Sequence, residues 1–167
     1  YLDAPDKSKE LMEAVIEGAI ENDIYVIIDW HSHGLQLEAA KTFFAEMAKK
    51  YGTYPHVIYE IFNEPVNDSW EVIKSYSVDV IKVIREFDPD NIILMGSPHW
   101  DQDIHLVADN PITGYTNLMY TLHFYAATHG QTLRDRGTYA LEKGIPLFVS
   151  ECAGMSANGD GPINYEA

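Results

Sequence analysis

The chain has 167 residues, 46% hydrophobic and 22% charged, an ordinary composition for one globular domain with a sizeable core. A formal net charge of -15, with 26 acids against 11 Lys and Arg, argues against nucleic acid as a partner, because phosphate binding draws on clustered cations. No stretch approaches the roughly 18 uninterrupted apolar residues that a membrane span needs, and the lone Cys152 excludes an intrachain disulfide and a Cys-built zinc site.

The first residues, Tyr1-Leu2-Asp3-Ala4-Pro5-Asp6, lack a basic stretch followed by an apolar one, so no signal peptide is visible. Lys7 to Asn22 then reads as a helix, with Leu11, Val15, Ala19 and Asn22 at three-to-four spacing and Asp6 or Ser8 able to cap it. Ile24 to Trp30 is apolar on both faces, as a buried parallel strand is. A second helix is expected over Leu37 to Tyr51, ended by Gly52 and Pro55, and a second strand over Val57 to Phe62. The third helix, Ser69 to Phe87, offers Trp70, Ile73, Ser77, Val80, Ile84 and Phe87 to the core before Asp88-Pro89-Asp90 breaks it. Strands follow at Asn91 to Gly96 and Leu118 to Tyr125, a helix at Thr132 to Lys143, and a fifth strand at Pro146 to Glu151.

Alternating strands and helices predict βαβ units and a parallel sheet. Two architectures accommodate five such strands: an open doubly wound sheet and part of a (β/α)₈ barrel. The glycine-rich phosphate loop that marks many doubly wound nucleotide folds is missing. Residues able to do chemistry instead end several strands: Asp29-Trp30-His31, Asn63-Glu64, His123-Phe124-Tyr125 and Ser150-Glu151. Barrel enzymes build their sites in that way. A whole barrel needs about eight strands and near 250 residues, so an α/β TIM barrel that is incomplete is the expectation.

Glu64 stands where an apolar strand meets Pro65, and partial burial there is expected to raise its pKa toward that of a general acid. Glu151 ends the last strand. Two carboxyl groups meeting across one cleft are what glycoside cleavage requires: one protonates the leaving oxygen, and the other attacks the anomeric carbon or activates water.

These residues resemble glycoside hydrolase family 5. The resemblance is carried by Tyr59-Glu60-Ile61 with Asn63-Glu64-Pro65, and by Ser150-Glu151 after an apolar strand. Further blocks resemble the bacterial endoglucanases of that family: Tyr25 to His31, Asp88 to Ile93, Trp100-Asp101-Gln102-Asp103, and Leu122 to Gly130. The resemblance runs from about Ser8 to Gly154 and implies that residues 1–167 are part of a single glycoside hydrolase barrel domain, strands three to seven. It implies Glu64 as acid/base and Glu151 as nucleophile of a retaining endo-β-1,4-glucanase. Asn63 would bind the sugar 2-hydroxyl, His31 and His123 would line the subsite beside the scissile bond, Tyr125 would hold Glu151, and Trp100 would stack on a glucose face. Strict alternation sends Asn63 and Glu64 to opposite sheet faces, so placing both in the site, as the resemblance implies, requires a bulge or twist at the strand end. No cofactor and no metal is implied, the partner is a β-glucan polysaccharide or oligosaccharide, and secretion follows from an insoluble extracellular substrate.

The chain departs from the family in three ways. Strands one, two and eight have no counterpart, nor therefore do the strand-two Arg and strand-eight Trp; Cys152 stands where members usually have Trp; and the loop His31 to Leu35 is short. Self-association, or barrel segments missing from this chain, would be needed to cover the open edges. Other readings of the same residues are a non-catalytic β-glycan-binding barrel remnant, a β-mannanase, xyloglucanase or mixed-linkage glucanase of the same family, and a metal-dependent hydrolase using His31, His33 and His123.

Overall fold

The computed structural model describes residues 3–166; Tyr1, Leu2 and Ala167, with the part of the N-terminal reading that falls on them, lie outside the described residues. Strands β1 (Val26–Asp29), β2 (Val57–Glu60), β3 (Ile93–Met95), β4 (Leu118–Thr121) and β6 (Leu147–Phe148) form one parallel sheet in the order β1-β2-β3-β4-β6. A two-stranded parallel ladder prolongs two of these segments, with β5 (Phe124–Tyr125) beside β7 (Cys152–Ala153). Helix α1 (Pro5–Glu21) precedes β1, helices α2 (Leu37–Tyr51), α3 (Trp70–Arg85) and α6 (Gln131–Glu142) fall between the strands, and α4 (Pro98–Asp101) and α5 (Ile104–Asp109) occupy the connection after β3. Each strand pairs with the next in chain order, as an arc of a barrel does. No helix among the described residues is long and apolar enough to cross a membrane.

The core lies between the sheet and its helices. α2 buries Ala40, Phe43, Phe44, Met47, Ala48 and Tyr51, and α3 buries Trp70, Ile73, Tyr76, Ser77, Val80, Ile81 and Ile84, each a stripe at helical spacing. The turn after α3 is locked by Asp88, whose Oδ1 accepts from the N–H groups of Asp90 and Asn91 while its Oδ2 accepts from the buried Tyr59 hydroxyl.

Several expectations shift at the edges. α1 buries Ile16 and Ala19, whereas Leu11 and Val15 are 61% and 65% exposed. The helix carries two apolar stripes one residue apart, and packing chose between them. Ile24 and Tyr25 are exposed rather than buried, because β1 is an edge of the sheet and begins at Val26. Phe87 is also exposed, since α3 ends at Arg85 and the buried Asp88 takes the inward position. The fourth expected strand is split between β4 and β5. The fifth ends at Phe148, so Glu151 stands between β6 and β7, outside either strand. Finally, α4 and α5 lie where no helix was expected.

Candidate active site

The two breaks in the ladder are what expose the reactive side chains. Leu122 N–H donates to Phe148 O at 3.0 Å and Phe124 N–H to Glu151 O at 3.4 Å, so two steps on one segment face three on the other. That extra residue is a bulge, and His123, Ser150 and Glu151 sit at it. The end of β2 is irregular as well. Successive N–H groups of Asn63 and Glu64 both reach the β1 side, to Trp30 O and Ser32 O at 3.2 Å each, where a regular strand would alternate. The twist expected at Asn63-Glu64 is therefore present in the backbone. β3 can approach this turn because residue 96 is glycine: a Cβ there would collide with the Phe62 carbonyl oxygen and the Pro65 ring.

Above these strand ends lies a cleft of about 810 Å³ lined by His31, His33, Glu64, Trp100, His123, Tyr125 and Glu151, with Gln102, His129 and Asn158 at its walls. Glu64 is held on both carboxylate oxygens, by His123 Nδ1 at 3.0 Å and His33 Nε2 at 3.1 Å. The Tyr125 hydroxyl donates to Glu151 Oε1 at 2.6 Å. One oxygen of Glu64, one of Glu151 and a ring nitrogen of His123 all lie within 4.8 Å of one another. His31 is exposed, with Nδ1 2.8 Å from Asp29 Oδ2. Trp100 is 39% exposed on α4 and anchored by its backbone N–H, which donates to Pro65 O at 2.9 Å. Of the residues singled out in the sequence, Asn63 alone is not on the cleft wall: it is 3% exposed, and its buried Nδ2 makes no hydrogen bond.

Behind the cleft, Glu60 and Asp101 form a layer to which sequence reasoning gave no role. His123 Nε2 lies 2.9 Å from Ser150 Oγ, whose hydroxyl donates in turn to Glu60, and 3.4 Å from Asp101 Oδ2. Glu60 and Asp101 are 4% and 0% exposed. Glu60 could have been suspected, because a carboxylate inside the run Val57 to Phe62 has to be paired. Asp101 carried no such signal, since α4 was unforeseen. His33 appeared in the sequence only as part of a metal-binding spacing.

Electrostatics reverses one expectation. Burial does push the Glu64 carboxyl up, but the hydrogen bonds and charges of His123 and His33 outweigh it and leave its pKa lowered. Burial alone would lower His123; the carboxylates of Glu60, 3.8 Å from Nε2, of Glu64 and of Asp101 instead raise it to about 10. Burial and the nearby Glu60 raise Asp29 to about 6. The bond to Glu151, then burial, raises the Tyr125 hydroxyl to about 12, so it stays a donor through neutral pH.

Glu64, His123 and Glu151 are close enough to offer three ligand atoms to a metal. Both nitrogens of His123 are already engaged, however, and His31 and His33 turn to Asp29 and Glu64 rather than to a common centre. The cluster is built as a hydrogen-bonded acid–base array.

The model of the family described as Cellulase (glycosyl hydrolase family 5) matches residues 2–167. Endoglucanase Z of Dickeya dadantii is 47% identical over 167 residues, covering 98% of this chain and 39% of that protein. Endoglucanase A of Evansella cellulosilytica is 48% identical, covering 98% of this chain and 35% of that protein. The chain thus spans well under half the length of these curated relatives. Among solved structures, the catalytic domain of Thermobifida fusca endoglucanase Cel5A (E5) superposes with a TM-score of 0.92 at 37% identity, over 99% of this chain and 57% of that one. A second structure of that domain, in complex with cellotetraose, gives a TM-score of 0.90 at 36% identity.

Proposed function

Because this chain belongs to glycosyl hydrolase family 5, the cellulase family, we propose that it supplies the catalytic pair for retaining, endo-acting hydrolysis of β-1,4-glucosidic bonds in cellulose-type glucans. The observation that carries this reading is the approach of Glu64 and Glu151, with one oxygen of each within 4.8 Å. Retaining glycosidases hold their carboxyl groups about 5–5.5 Å apart, whereas inverting ones leave about 6.5–9.5 Å for a water. So short an approach supports direct attack by a carboxylate.

Glu151 is the nucleophile. Its Oε1 accepts from Tyr125, which orients the carboxylate toward the anomeric carbon and leaves Oε2 to attack. Glu64 is the acid/base. It gives a proton to the departing glycosidic oxygen as the Glu151–C1 ester forms, then takes one from the water that hydrolyses the ester. The proton is at hand on the contact between Glu64 Oε1 and His123 Nδ1, and the lowered pKa of Glu64 in the free protein places it largely on the histidine. Entry of a sugar that removes water from Glu64 raises its proton affinity and draws the proton across.

Trp100 and His31 stand on the cleft wall where an aromatic face and a polar edge can receive a glucosyl unit. The Nδ2 of Asn63 is buried without a partner, a donor left over for a sugar hydroxyl in this reading. The glucan substrate extends from the cellotetraose-bound relative and the endoglucanase names of the others. Secretion of the protein accords with such a polymer.

Reducing-sugar release from carboxymethylcellulose, mixed-linkage β-glucan and β-mannan, measured beside the Glu151→Gln variant, tests the proposal. The expected result is release from the β-1,4-glucan, lost in the variant, with the first-formed anomer of β configuration by proton NMR. Oligosaccharide binding without release would replace catalysis with glycan recognition, and an α product would exclude the covalent route.

A further inference from the structure

Around His123 the structure gathers more carboxylates than a two-glutamate mechanism uses. Asp101 is the one with no evident task. It is fully buried and ends a run of three left-handed residues, His99, Trp100 and Asp101, with φ of 60°, 54° and 59°. That backbone costs roughly 1–2 kcal/mol per non-glycine residue. Asp101 Oδ1 repays part of it by accepting the Ser97 N–H. Its Oδ2 is buried, makes no well-aligned hydrogen bond and lies 3.4 Å from His123 Nε2.

The hydrogen-bond directions around the ring follow from proton counting. The Ser150 hydroxyl gives its one proton to Glu60, so toward His123 it can only accept, which keeps a proton on Nε2. The contact between His123 Nδ1 and Glu64 Oε1 at 3.0 Å then carries a single mobile proton. On Nδ1, the pair is imidazolium and carboxylate; on Oε1, it is neutral imidazole and carboxylic acid.

We propose that Asp101 is a positioning residue for the acid/base: its carboxyl group faces the Nε2 edge of His123 and sets how the shared proton divides between His123 and Glu64. Negative charge on Asp101 stabilises the imidazolium and so makes the pair harder to deprotonate. The same side chain ties down the turn that carries Trp100, so one residue governs both the aromatic platform and the proton. The other groups facing this array are Glu60 from β2, Glu64 from the turn beyond it, Asp29 from β1, and His33 on the far oxygen of Glu64. Burial holds the Asp101 carboxyl well above the ordinary carboxylate range against the pull of His123, the Ser97 N–H and Thr121.

The catalytic consequence rests on the reading of Glu64 as acid/base; the titration does not. Imidazole resonances of His123, followed by NMR against pH in the wild-type chain and in Asp101→Asn, test the coupling. Asn keeps an oxygen for the Ser97 N–H and removes the charge. The His123 midpoint is expected to fall by at least about one pH unit in the variant, the lower end of what an opposite charge within about 4–6 Å produces. Equal midpoints overturn the proposal, and if Asp101→Asn does not fold, Asp101→Ser, which also removes the charge, is titrated in its place and an unshifted midpoint there does so. In the active enzyme the alkaline limb of kcat/KM should move to lower pH with the variant. A His123 shift in a protein that hydrolyses no β-glucan would sink the glucanase reading and leave the coupling standing; an unshifted His123 in an active enzyme would do the reverse.

Discussion

Glu64 Oε1 lies 3.0 Å from Nδ1 of His123, a residue only 1% exposed. The consequence for stability has a definite sign. His123 has a folded pKa of about 10 against 6.5 unperturbed, so its contribution is fully present below pH 6.5 and is lost as pH rises through about 10. Glu64 is lowered, so its contribution is present above pH 4.5 and is lost as pH falls through its folded value. The pair is therefore worth most between about pH 4.5 and 6.5. Replacing His123 with Gln leaves buried carboxylates uncompensated and should cost about 3–5 kcal/mol at pH 6. Urea denaturation across pH should show the wild type weakening toward pH 10 and the variant with a flatter alkaline limb.

Tyr125 and Glu151 give a prediction about rate. A hydrogen bond to a charged group is worth about 1.5–3 kcal/mol. Tyr125→Phe frees Glu151 Oε1 while keeping the ring, so kcat on a soluble cello-oligosaccharide should fall about 10- to 100-fold. KM should change little, because the hydroxyl points at the nucleophile. A loss confined to KM would mean that Tyr125 binds sugar rather than orienting Glu151.

Asp29 gives a stability gain. Its folded pKa of about 6 exceeds 3.8, so the native state binds more protons between those values and stability falls as pH rises through that window. Asp29→Asn removes the penalty. The melting temperature should rise at pH 8, by an amount corresponding to at most about 3 kcal/mol, and should be unchanged near pH 3. Equal melting curves at both pH values for variant and wild type would contradict the assignment.

Gly96 is the steric prediction. Alanine there drives a methyl into the Phe62 carbonyl and Pro65, which carry the Asn63-Glu64 turn. Overpacking of this kind costs about 1–3 kcal/mol. Gly96→Ala should lower the melting temperature and also reduce kcat, whereas the same change at the half-buried Gly18, where an added Cβ meets nothing within 4 Å, should leave kcat alone.

Much of this was written in local pattern. Five parallel strands, helices α1, α2, α3 and α6, and the placement of Glu64, His123, Tyr125 and Glu151 just beyond the ends of the five sheet strands follow from apolar periodicity and from which residues interrupt it. A strand buried by its neighbours must read as an apolar run, and a charged group inside it, as at Glu60, has to be paired. Which stripe of α1 turns inward was not legible, because Leu11 and Val15 match helical periodicity as well as Ile16 and Ala19 do. Nor was the sign of the Glu64 shift: burial is a property of one residue's surroundings in sequence, but the opposing charges of His33 and His123 arrive from 31 and 59 residues away. The same holds for Asp101, on a left-handed turn that nothing local announces, and for the bulge that brings His123, Ser150 and Glu151 to one edge. Periodicity is set by neighbours along the chain and survives in the sequence; proton affinities and backbone irregularities are set by groups that meet only when the sheet closes around them.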